Sequence, residues 1–142
     1  MNKMKFESPL ERYLFDKYIL DVCIATLTQG GVTSKLDTYQ FVSPIDAWAI
    51  PKYPDQTVIL PPNADLQAAV RSFVVQNELY LRMPDYWLGT WIEPETHSCY
   101  LDITSLCFCL DDAVQQARAL SSSAQRKIVA LYDFKRGQAI YI

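Results

Sequence analysis

The stretch Trp87-Leu88-Gly89-Thr90-Trp91-Ile92-Glu93, then Pro94-Glu95-Thr96-His97, then Ser98-Cys99-Tyr100-Leu101-Asp102-Ile103, decides the fold class. Two runs rich in aromatic and β-branched residues flank a short polar segment headed by proline, which is the pattern of a β-hairpin. The predicted strands cover 87–93 and 98–103, with the turn at 94–97. Trp87 and Trp91 are four residues apart and so share one face of their strand. Trp91, in mid-strand, is expected to be a buried anchor of the core. Downstream, Asp111 or Asp112 caps a predicted helix that presents Val114, Ala117 and Leu120, and Ser121-Ser122-Ser123 breaks it. Residues 127–132 read as a strand, 133–137 as a turn and 138–142 as the returning strand. The C-terminal part is therefore a β-β-α-β-β unit.

Toward the N-terminus, Ser8-Pro9-Leu10-Glu11 combines a capping serine, a proline suited to the first helical position and a capping-box glutamate. It opens a predicted helix over about 9–28. Leu10, Leu14, Tyr18, Val22 and Ala25 form its apolar track, widened by Tyr13, Ile19 and Cys23. Gly30-Gly31 ends it. Four of the eight prolines lie between Pro51 and Pro62, which confines residues 32–62 to short strands at 38–42, 47–50 and 57–60, with a turn at 51–55. Asn63 is expected to cap a helix over 64–80 with Leu66, Ala69, Val70, Phe73, Val74 and Leu81 inside. Met83-Pro84-Asp85 stops it. The predicted fold is α+β: one domain, 1–142, with an antiparallel sheet and about three helices packed on one of its faces.

Composition narrows the function classes. The chain has 142 residues and a net charge of -3. Bulk charge therefore argues against a nucleic-acid binder. Glu7 and Glu11 stand where a secretory leader would need an apolar core, and no stretch of about 20 apolar residues is present, so neither export nor membrane insertion is expected. Four cysteines in such a chain read as cytoplasmic thiols.

Leu88-Gly89-Thr90-Trp91, Pro94-Glu95-Thr96 and Tyr100-Leu101-Asp102-Ile103-Thr104, followed by a helix with Ala113 and Ala117 and by Ala130-Leu131-Tyr132-Asp133, resemble a small uncharacterised domain of bacterial and phage-associated proteins. The resemblance covers residues 87–142. It implies the hairpin-helix-hairpin arrangement and brings no catalytic residues. The turn glycine of that pattern is His97 here.

Four soft ligands, His97, Cys99, Cys107 and Cys109, invite a zinc reading. Their spacing lacks the usual two-residue gap within each ligand pair, and Leu106–Leu110 reads as an apolar run, so no metal or cofactor is expected. His97 is the only histidine, so Cys-His catalysis would depend on a turn residue. No phosphate-cradling glycine motif and no nucleophile elbow occurs. The basic pairs Arg126-Lys127 and Lys135-Arg136 read as edge-strand charges. The aromatic and acidic cluster Asp85, Tyr86, Trp87 and Glu93 is the expected binding site, because Tyr and Trp dominate interface hot spots. The function so read is a non-enzymatic cytosolic domain whose partner is another protein, its oligomeric state open. One alternative is a small inhibitor or immunity-type protein of mobile-element origin. Another is an enzyme using Cys99 or the hairpin carboxylates.

Overall fold

The computed structural model describes residues 4–42, 45–123, 127–128 and 130–142. Its elements are α1 (Pro9–Gln29), β1 (Gly31–Ser34), β2 (Trp48–Pro51), a 3-10 turn (Pro54–Gln56), β3 (Val58–Leu60), α2 (Leu66–Gln76), α3 (Glu78–Leu81), β4 (Trp87–Ile92), β5 (Cys99–Cys107), α4 (Leu110–Ser123), β6 (Ala130–Asp133) and β7 (Gln138–Tyr141). The architecture is α+β, and the C-terminal β-β-α-β-β unit is present.

Local chemistry sets the first helix. The Ser8 hydroxyl accepts from the Glu11 N–H at 3.2 Å, and the Glu11 carboxylate accepts from the Glu7 N–H at 2.7 Å. At the other end Gly30 takes the left-handed conformation, φ 85°, and its N–H closes on the Thr26 carbonyl. The second predicted helix divides into α2 and α3. Both the N–H and the side-chain amide of Asn77 donate to the Phe73 carbonyl and end α2 there. Its N-cap is Asp65 rather than Asn63. α4 begins at Leu110, one turn-position ahead of the expected cap, so Asp111 and Asp112 lie inside its first turn, and the three serines continue it.

Seven strands among the described residues form one antiparallel sheet in the order β1-β4-β5-β2-β6-β7, with β3 beside the first half of β5. β5 is longer than predicted. Residues 104–107 pair with β2, a partner more than fifty positions away that the local pattern does not announce. The expected strand at 38–42 is a turn with a single bridge, Phe41 to Ser34. β1 takes the segment before it, because its partner β4 lies beside the end of α1.

Register divides the sheet into two faces. Val32, Ser34, Leu88, Thr90, Leu101, Ile103, Cys107, Trp48, Ile50 and Leu131 face the helices. One core joins Phe15, Ile19 and Val22 of α1 with Phe73, Leu81, Leu88, Leu101 and Ile103. A second joins Trp48, Ile50 and Leu131 with Ala113 and Ala117 of α4. A buried polar link ties the first core to the sheet: the Thr26 hydroxyl donates to the Val22 carbonyl and lies 2.6 Å from the Thr90 hydroxyl, which accepts from the Val32 N–H.

Two packing expectations change. Trp91 is half-buried on the helix-free face, so it is not a core anchor; Trp48, 8% exposed, is the buried tryptophan. In α1, Tyr18, Ile19, Val22, Cys23 and Ala25 are buried, whereas Leu10, Tyr13 and Leu14 are exposed. Steps of four residues overrun the 3.6-residue turn, so a track through 10, 14, 18 and 22 drifts around the helix from its outer side to its inner side. No helix among the described residues is long and apolar enough to cross a membrane.

Candidate functional site

The helix-free face of the sheet is hollow. Gly89, Ala49, Ala130 and Ala139 place small side chains, or none, at its centre, while Trp91, Tyr100, Tyr132 and Tyr141 stand at the sides. With little bulk inside, the sheet curls. Trp91 on β4 and Tyr141 on β7 come within 6.5 Å, ring centre to ring centre, although three strands lie between them in the sheet. Trp91 also packs at 5.4 Å from Tyr100.

The curl encloses a pocket of about 70 Å³, reached by residues from both edges: Gly31 and Thr33 of β1, Gly89 and Trp91 of β4, Ala130 and Tyr132 of β6, and Ala139 of β7. Asp102 and Thr104 of β5 and Ala49 and Pro51 of β2 lie between. Gly89 is required here by close approach, since a Cβ on it would sit 2.2 Å from the Thr104 hydroxyl. Thr33 and Thr104 are buried residues, and the Thr57 hydroxyl donates to the Asp102 carboxylate. The pocket is therefore an apolar slot with aromatic sides and a few polar atoms.

The predicted binding residues fall at two ends of one strand. Asp85, Tyr86 and Trp87 gather around Lys35. Its ammonium donates to the carbonyls of Leu81, Met83 and Tyr86 and stands 5.4 Å over the Trp87 ring. Burial lowers the Lys35 pKa from its ordinary value, against the raising pull of Asp37 and Asp85. Tyr86 is half-buried, its hydroxyl 3.2 Å from that of Tyr53, and Asp85 is exposed. Glu93 lies past the far end of β4, roughly 20 Å along the strand at about 3.3 Å per residue. There its carboxylate accepts from the N–H groups of Glu95 and Thr96, and the Thr96 N–H above all holds its pKa below the usual range. Glu93 thus caps the turn and does not join the other three.

The soft ligands are likewise spread out. His97 is an exposed turn residue, Cys99 lies in the first core, Cys107 in the second, and Cys109 is exposed. Among the described residues no group of three His, Cys, Asp or Glu side chains is placed to hold a metal ion. Burial pushes the Cys99 thiol up to about 11, so it is protonated at neutral pH. Arg126 lies outside the described residues, as does part of the strand expected at 127–132; Lys127, Lys135 and Arg136 are exposed.

The pocket carried no signal along the chain. Its small residues come from five strands, and only the sheet order brings them together. Compared with protein-family models, with curated proteins and with solved structures, the chain matches none.

Proposed function

We propose that the chain is a non-enzymatic protein-interaction domain. Its recognition site is the pocket of the curled sheet, and the group it takes is one apolar side chain presented by another protein. The observation that carries this reading is the size of the slot. About 70 Å³ is far below the roughly 300–1,000 Å³ of small-molecule and cofactor pockets, but matches an anchor residue. Rigid aromatic sides, Trp91 and Tyr132, give contact area at small entropic cost, as hot spots do. The aromatic and acidic groups of the proposed surface are Trp91, Tyr132 and Asp102, rather than Asp85, Tyr86, Trp87 and Glu93.

The test is selection from a displayed random-peptide library on the native chain and on Ala139→Trp, which fills the slot. Peptides sharing one apolar anchor should be enriched on the native chain, with binding at least about tenfold weaker to the filled variant. Circular dichroism checks that the variant is folded. Enrichment without a common anchor, or equal binding to both chains, would overturn the reading.

A further inference from the structure

α1 has a second apolar side. Leu10, Tyr13, Leu20, Ile24 and Leu27 are 45–67% exposed on its outer surface, and Leu14 beside them is 42% exposed. Together with Lys17 the first five occupy positions 10, 13, 17, 20, 24 and 27, an unbroken alternation of three- and four-residue steps. That alternation is the seam of a two-helix coiled coil, here about 26 Å long at 1.5 Å per residue. A helix apolar on both sides is normally covered on both.

The charges on this surface select the cover. The Lys17 ammonium lies 2.7 Å from the Asp21 carboxylate, and both side chains are well exposed. Let two copies of α1 lie antiparallel about a two-fold axis level with the Tyr18-Ile19 peptide. Leu10 of each copy then stacks on Leu27 of the other, Tyr13 on Ile24, and Lys17 on Leu20. In the same register Lys17 of each copy comes within one residue of level with Asp21 of the other. The two ion pairs become four alternating charges around the axis, and every layer of the seam holds at least one apolar side chain. A single polar residue at a seam position commonly sets register in this way.

Area agrees with this occupant. The six apolar side chains offer on the order of 600 Å² per copy, near the ~800 Å² per partner of a standard interface and at the upper limit for the largest patch on a monomer. Phe41, 39% exposed, borders a shallow groove with Ile24 and Thr28 and widens the patch. An anionic lipid surface fits less well. α1 carries Glu11, Asp16 and Asp21 against Arg12 and Lys17, without the basic flank that such helices use.

We infer that the chain forms a symmetric dimer through the outer side of α1, two copies packed antiparallel. This surface is separate from the pocket, and either assignment stands without the other. Sedimentation equilibrium over a range of concentrations tests it. The native chain should be a dimer in the micromolar range. Ile24→Glu should weaken association by at least about a hundredfold, by burying an unpaired charge. Lys17→Asp should weaken it by about tenfold, and the swap of Lys17→Asp with Asp21→Lys should restore it. Leu20→Gln is a second, milder variant should Ile24→Glu fail to fold by circular dichroism. A native chain that stays monomeric at about 100 μM overturns the proposal. So does a dimer indifferent to Ile24→Glu and Leu20→Gln. A dimer that responds to those two but not to the charge swap overturns the antiparallel register.

Discussion

Asp133 is a buried carboxylate that organises the last turn. It accepts from the N–H groups of Lys135 and Arg136 and from the Arg136 guanidinium at 3.0 Å. Burial alone would raise its pKa. The Arg136 guanidinium and the two N–H groups together outweigh burial and leave it below the ordinary carboxylate range. A group depressed on folding contributes stability above its unfolded pKa of about 3.9 and loses it as pH falls through the folded value. Asp133→Asn should therefore lower the urea midpoint at neutral pH, and the gap to the native chain should close below about pH 4. A gap that stays constant down to pH values near 2 would show that the charge is not the source of the effect. The aspartate was legible as a turn residue because its partners are two and three positions away. Its burial was not, because Trp48 and β2 supply the wall.

The β4–β5 hairpin pairs six residues of each strand across a four-residue turn. Its turn closes through the His97 N–H on the Glu93 carbonyl, with His97 held at φ 60°. This is the left-handed region, which favours glycine and admits histidine more readily than a β-branched residue. His97 thus holds a backbone conformation that glycine prefers. His97→Gly should leave the unfolding midpoint unchanged or slightly higher, whereas His97→Val should cost about 1–2 kcal/mol. Equal midpoints in urea would mean that the turn adopts another conformation in solution. The hairpin and α1 could both be read from the chain, since each is built from contacts a few residues apart. The division at Asn77 was less accessible, because Leu81 turns inward to meet Leu88 and Leu101 of the sheet.

Across the whole molecule, the sheet has one face under helices and one face that curls around a pocket. This decides which side chains stabilise it. Leu88 is fully buried under the helices, while its neighbour Trp91 lines the pocket. Leu88→Ala should cost about 2–5 kcal/mol, as deletion of a well-packed core side chain does. Trp91→Ala should cost less in stability and instead abolish peptide capture by the pocket. Thermal and urea unfolding of the two variants would measure this, and a larger loss for Trp91→Ala would place it in the core after all.

The sequence by itself determined both ends of α1, the two C-terminal hairpins and the α+β class. These follow from capping, turn chemistry and periodicity, forces that act within one or two turns of chain. The inner stripe of α2 was legible too, but only the tertiary structure decided which side of α1 and which face of the sheet is inside. Alternation along β4 defines two faces but does not say which one a helix will cover. α1 is apolar on both sides, so its own pattern does not choose either. Covering the face of Leu88, Leu101 and Ile103 with α1, and that of Trp48 and Leu131 with α4, left the small residues of five strands together on the open side. The pocket arises because long-range pairing gathers side chains too small to fill the bend between them.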